Sequence, residues 1–135
     1  MIRASFVLFA ALGLSAAAAP AATCSGPNPA IVSVAVSNVT TNGSLNTYNI
    51  AGTVRNLGSQ GQPSNTLQFV DIYQYGNKLD SKGIPPLAAG QSYRFNYQWQ
   101  RNVEARRGST PLEFRVRMAQ GSDCNPANGV AHLTL

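Results

Sequence analysis

Charge is scarce in this sequence. Only 11% of its 135 residues are Asp, Glu, Lys or Arg, and just five residues are acidic. Those five, Asp71, Asp80, Glu104, Glu113 and Asp123, show no spacing that proposes a general acid and base working as a pair. Histidine occurs once, at His132, and cysteine twice, at Cys24 and Cys124, so no three- or four-ligand zinc set can be assembled. No nucleophile elbow precedes His132, which leaves a serine nucleophile without a base. Asp123, Asn125 and Asn128 could offer oxygens to calcium, but they lack the acidic density of a dedicated loop and read better as turn caps. These shortages predict no cofactor, no metal and no enzymatic activity.

Long hydrophobic runs are also missing. The longest, Phe6 to Leu14, is too short to span a bilayer, and it sits between a basic start at Met1-Ile2-Arg3 and the small residues Ser15 to Ala22. That order is the anatomy of a secretory signal peptide. Small residues are needed three and one before the cut, which Ala19 and Ala21 supply. We therefore expect a leader over 1–21 and one domain over 22–135, exported to the periplasm or the extracellular space, with no transmembrane segment. Losing Arg3 with the leader lowers the net charge from +5 to +4.

Export places Cys24 and Cys124 where disulfides persist, and two cysteines in such a chain usually pair. A Cys24–Cys124 bond would close nearly the whole domain, a loop worth roughly 4–5 kcal/mol in the chain-entropy view. The rival reading acylates Cys24, but Ala21-Ala22-Thr23 ahead of it makes a poor lipobox.

Helical periodicity is nearly absent after the leader; what recurs is period two. Ile31 to Val39 aligns Val32, Val34 and Val36, and a turn follows over Thr40 to Ser44. Thr47 to Asn56 aligns Tyr48, Ile50 and Val54, with Gly52 a bulge or close-approach point. Thr66 to Tyr75 is followed by a Gly76-Asn77 turn and a weak strand over Lys78 to Ile84. Gln91 to Gln100 sets Tyr93, Phe95, Tyr97 and Trp99 against polar residues, and Leu112 to Ala119 sets Leu112, Phe114, Val116 and Met118 against Glu113, Arg115 and Arg117. Val130 to Leu135 is the last strand. Seven short strands with regular turn signals predict an all-β, seven-stranded immunoglobulin-like or fibronectin-III-like β-sandwich. If successive strands alternate in direction, Cys24 and Cys124 fall at the same end.

Four turn segments carry a family resemblance: Asn28-Pro29-Ala30-Ile31-Val32, Gly52-Thr53-Val54-Arg55-Asn56-Leu57-Gly58, Pro86-Leu87-Ala88-Ala89-Gly90-Gln91-Ser92 and Asn125-Pro126-Ala127-Asn128-Gly129. In order and spacing the chain resembles a CARDB domain, a cell-adhesion-related module. The resemblance spans Asn28 to Leu135, implies an immunoglobulin-like sandwich used in adhesion or binding, and brings no catalytic residues. Physically, Asn56 and Gly58 are residues able to take positive φ at a strand exit, Leu87 can plug the sandwich end, and Gly90 permits a turn.

The aromatic stripe Tyr93, Phe95, Tyr97 and Trp99 reads as core because its opposite face is polar, with Tyr48, Phe114 and Met118 as packing partners. The better binding candidate lies across the third and sixth strands. With Val70 and Ile72 inward, Phe69, Asp71, Tyr73 and Tyr75 face out beside Arg115 and Arg117, and Arg101, Arg106 and Arg107 lie in the preceding loop. Such a face suits a protein partner or an anionic surface polysaccharide; the plain alternative is a solvated face on which Asp71 pairs with an arginine. Nucleic acid does not fit, as no groove-reading motif is present. A second class of function remains, a structural or accessory subunit that self-associates by an exposed strand edge or packs on a larger exported assembly.

Overall fold

The alternating pattern folds into seven strands: β1 (Pro29–Asn42), β2 (Leu45–Asn56), β3 (Leu67–Gln74), β4 (Asn77–Ile84), β5 (Ser92–Asn102), β6 (Pro111–Gln120) and β7 (Val130–Thr134), with one 3-10 turn over Pro126–Asn128. The structure, a computed structural model, describes residues 24–103 and 108–135. The expected leader over 1–21, and Arg106 and Arg107, lie outside the described residues. One antiparallel sheet has the order β1-β2-β5 and the other β4-β3-β6-β7, the strand arrangement of a fibronectin-III-like sandwich.

Inward residues of both sheets form one core of Ile50, Val54, Val70, Ile72, Ile84, Leu87, Phe95, Trp99, Leu112 and Phe114. Phe95 and Phe114 meet across the sheets with ring centres 6.0 Å apart, and Tyr48 lies 5.5 Å from Trp99. The stripe on β5 is therefore core at Phe95 and Trp99, half-buried at Tyr97, and emergent at Tyr93, which is 40% exposed at the sandwich end. Gly52 is a point of close approach, since a Cβ there would overlap the Phe95 ring.

Strand β1 departs from simple alternation. Register shifts between Ile31 and Ser33 and between Val36 and Asn38 mark two bulges. The first pushes Val32 out of line, leaving it 48% exposed, while Ile31 takes the inward place beside Val34 and Val36. The strand also runs on to Asn42, so the turn is shorter than the sequence suggests. Met118 is not a core residue either. At its level the interior is filled by Gln68, 1% exposed, whose side-chain amide exchanges two 2.7 Å hydrogen bonds with that of Gln62 and donates to the Pro85 carbonyl.

Cys24 and Cys124 are disulfide-bonded, with Cα atoms 5.6 Å apart across 100 positions of sequence, and the Cys124 N–H donates to the Pro27 carbonyl. Beside this clasp, the strand-exit motif works differently from the sequence reading: neither Asn56 nor Gly58 has positive φ. Asn56 is fully buried. Its Oδ1 accepts the N–H groups of Asn28 and Gly58 at 2.9 Å, and its Nδ2 donates to the carbonyls of Gln60 and Leu87. Gly58 is required by proximity, because a Cβ would overlap the Gly26 carbonyl oxygen. Leu87 does plug the end of the core, and Gly90 turns with φ 78°.

Candidate functional site

Three adjacent strands build the outer face of the larger sheet. Register pairs Phe69 with Arg117, Asp71 with Arg115 and Tyr73 with Glu113 across β3 and β6, then Glu113 with His132 across β6 and β7. Parity thus puts Tyr73, Arg115 and Arg117 on one surface, as the sequence predicts, and adds Glu113 and His132. His132 shares the outward parity of Val130 and Thr134, opposite Ala131 and Leu133, which pack against the core, and that alternation is the signal that puts it beside Glu113.

Asp71 faces outward yet is only 1% exposed, because its neighbours close over it. Arg117 donates from Nε to Oδ2 at 2.7 Å and from Nη2 to Oδ1 at 3.3 Å, Ser81 Oγ donates to Oδ1 at 2.5 Å, and Lys78 Nζ lies 3.5 Å from Oδ2. Burial works against the charge of Asp71, but the bonds from Arg117 and Ser81 and the two cations prevail and lower its pKa. Arg117 is further held over the Phe69 ring, 4.5 Å from its centre. The plain alternative, a carboxylate paired with an arginine, is what this half of the face contains.

The other half is open. Arg115 Nη2 donates to Glu113 Oε1 at 2.7 Å, a bond that lowers the Glu113 pKa, and the Arg115 side chain remains 53% exposed. One bond leaves most of the five guanidinium donors available. Next to it are two adjoining hollows of about 210 and 270 Å³. Tyr73, Gly76 and Glu113 line both, Tyr75, Pro111, Leu112 and His132 complete the first, and Arg115 completes the second. They are smaller than the roughly 300–1,000 Å³ of an enclosing small-molecule pocket, so they suit one ring of a longer ligand lying on the surface.

Tyr75 owes its place to the β3–β4 hairpin. Gln74 pairs with Asn77, so the central turn residues are Tyr75 and Gly76 rather than Gly76 and Asn77. Their φ values of 49° and 79° meet the two-residue turn's need for positive φ at both positions. Tyr75 is the only non-glycine with positive φ among the described residues, and it is 68% exposed. Asn or Gly would be easier there, so the tyrosine carries a local conformational cost.

Arg101 does not belong to this face. It lies in β5, in the other sheet, on the inward side after Trp99. Its guanidinium sits 5.4 Å from the centres of both the Tyr48 and Trp99 rings, donates to the Tyr48 hydroxyl at 2.9 Å, and reaches the Leu135 carbonyl at 3.4 Å. It caps one end of the core, a use of arginine that strand-end parity alone does not distinguish from a loop position.

In the 123–128 loop, Asp123 Oδ1 accepts the Asn125 N–H at 3.0 Å, a turn cap, and burial raises the Asp123 pKa. No group of three His, Cys, Asp or Glu stands together among the described residues, and no described helix is long and apolar enough to cross a membrane.

No protein-family model matches the sequence, and no curated protein matches it. Solved structures do. The crystal structure of a CARDB domain from a Pyrococcus furiosus protein, in complex with di-metal ions, superposes with a TM-score of 0.60 at 19% identity, covering 84% of this chain and 90% of that one. A domain named for a cell surface protein of Methanosarcina acetivorans, solved by NMR, gives a TM-score of 0.58 at 18% identity over 81% of this chain and 90% of that one. The residues present here do not reproduce a two-metal site, since the described histidine, cysteines and carboxylates do not gather. The motif resemblance and the superposition agree on architecture: the chain has the immunoglobulin-like sandwich fold of a CARDB domain.

Proposed function

We propose that this protein is an exported, non-catalytic binding module that holds an anionic surface polysaccharide on the outer face of the β4-β3-β6-β7 sheet. The observation that carries the reading is the pair of adjoining hollows that share Tyr73, one flanked by the strained, exposed Tyr75 and the other by Arg115. Tyrosine faces pack against sugar rings through their C–H surfaces, and a guanidinium matches the geometry of a uronate carboxylate. Support for a surface role comes from the cell-surface and CARDB structures of the same fold, from the disulfide, and from the leader-like N-terminal sequence. Arg117 supports the face by neutralising Asp71.

Affinity electrophoresis through gels containing a uronate-rich polysaccharide tests the reading. The mature protein should be retarded, and the double variant Tyr73→Ala/Tyr75→Ala, or Arg115→Ala alone, should run freely. Equal retardation of the wild type and all variants would count decisively against this face.

A further inference from the structure

We propose that the exposed half of β1, residues 37–42, pairs antiparallel with the same stretch of a second copy of the chain, joining two β1-β2-β5 sheets into one six-stranded sheet.

The two sheets have four free edges, β1 and β5 on one and β4 and β7 on the other. Strand β4 carries Lys78, Asp80 and Lys82, and Lys82 both pairs with Asp80 at 3.2 Å and reaches to 5.9 Å from the centre of the Tyr97 ring on β5. Charges turned inward at an edge obstruct strand addition, here at β4 and at the neighbouring β5 edge together. Strand β7 has only five residues. Strand β1 has 14 residues, no charged side chain and no proline after Pro29. Among the described residues, its backbone from 30 to 42 is hydrogen-bonded to β2 alone, so half of its N–H and C=O groups lack a strand partner. The bulge between Val36 and Asn38 interrupts the edge, and every residue from 37 to 42 is exposed.

Charge selects a second copy as the occupant. Without Arg3 the mature chain is +4, so two copies repel wherever their basic surfaces meet. On the outer face of the β1-β2-β5 sheet, the charges Arg55 and Arg94 lie at the end that pairs with Ala30 and Thr53, away from 37–42. The strip bordering this edge is Asn38, Thr40, Thr47, Asn49, Gln98 and Gln100, polar and neutral. Two-fold pairing about Thr40 therefore opposes no like charges, and it gives a dimer with a binding hollow on each flank. The pairing does not depend on what those hollows bind.

Sedimentation equilibrium of the oxidised mature chain from about 10 to 500 µM should show reversible dimers, a weak edge contact. Thr40→Lys, an exposed position that places two ammonium groups together at the axis, should raise the dissociation constant at least about tenfold. Gln98→Lys adds the same charge two strands from the edge and should change it less than about twofold; near-ultraviolet circular dichroism of Trp99 checks that both variants fold. A chain that stays monomeric throughout overturns the proposal and leaves the edge to a strand of another protein. Equal effects of Thr40→Lys and Gln98→Lys overturn it as well.

Discussion

Arg117 Nε lies 2.7 Å from Asp71 Oδ2, and its guanidinium carbon stands 4.5 Å from the centre of the Phe69 ring. The pair makes a buried carboxylate tolerable on a surface whose other members are free to meet a ligand. Because the folded pKa of Asp71 is lowered, its contribution to stability is complete above the unfolded value near 3.8 and is lost as pH falls through the folded value. Asp71→Asn should be less stable than wild type at pH 7 and should converge with it as the pH falls through the lowered folded pKa of Asp71. Arg117→Ala leaves the carboxylate with weaker partners, so its acid loss should begin at a higher pH. Urea midpoints measured from pH 7 downward check both.

Asn56 is the most connected polar side chain at the disulfide end. Asn56→Ala strands the Asn28 and Gly58 N–H groups and leaves the Leu87 carbonyl with the Gln62 N–H as its one donor, and should cost about 3 kcal/mol in urea unfolding. Asn56→Asp keeps the size but replaces the donating nitrogen with an acceptor facing two carbonyls, and should be no better.

Tyr75 opposes stability to binding. Tyr75→Asn suits the left-handed turn and should raise stability by about 1 kcal/mol while weakening retention on polysaccharide. A stabilised variant that binds as well as wild type would remove Tyr75 from the site.

Gly52 and Gly83 make a matched pair. A Cβ at Gly52 overlaps the Phe95 ring, whereas at Gly83 it meets open space. Gly52→Ala should therefore destabilise by about 1–3 kcal/mol and Gly83→Ala should stay near neutral, both read from thermal melts.

The clasp is testable by Cys24→Ser/Cys124→Ser. Opening a loop of 100 positions should cost about 4–5 kcal/mol, with the loss equal to that produced by reductant on the wild type.

Much of the sandwich was legible because strand pattern is local. Period-two alternation over β3, β5 and β6 placed Val70, Ile72, Phe95, Trp99, Leu112 and Phe114 inward without knowledge of their partners. Direction counting put the two cysteines at one end. The same parity exposed Tyr73, Arg115 and Arg117 on one face, and it could equally have added Glu113 and His132. Periodicity failed where an extra residue enters a strand, as at Val32 and Ser37, since a bulge shows itself only against a paired neighbour.

By itself, then, the sequence determined the all-β class, the strand count, most of the inward set and the disulfide, each of which depends on alternation or on inventory. Tertiary structure decided which arginine meets which group: Arg117 on Asp71, Arg115 on Glu113, Arg101 over Tyr48 and Trp99. It also decided that Asn56 is a hydrogen-bond hub and that Tyr75 occupies the turn. These outcomes depend on contacts between residues dozens of positions apart and on one-residue differences in register, and neither is written in the order of side chains along a single strand.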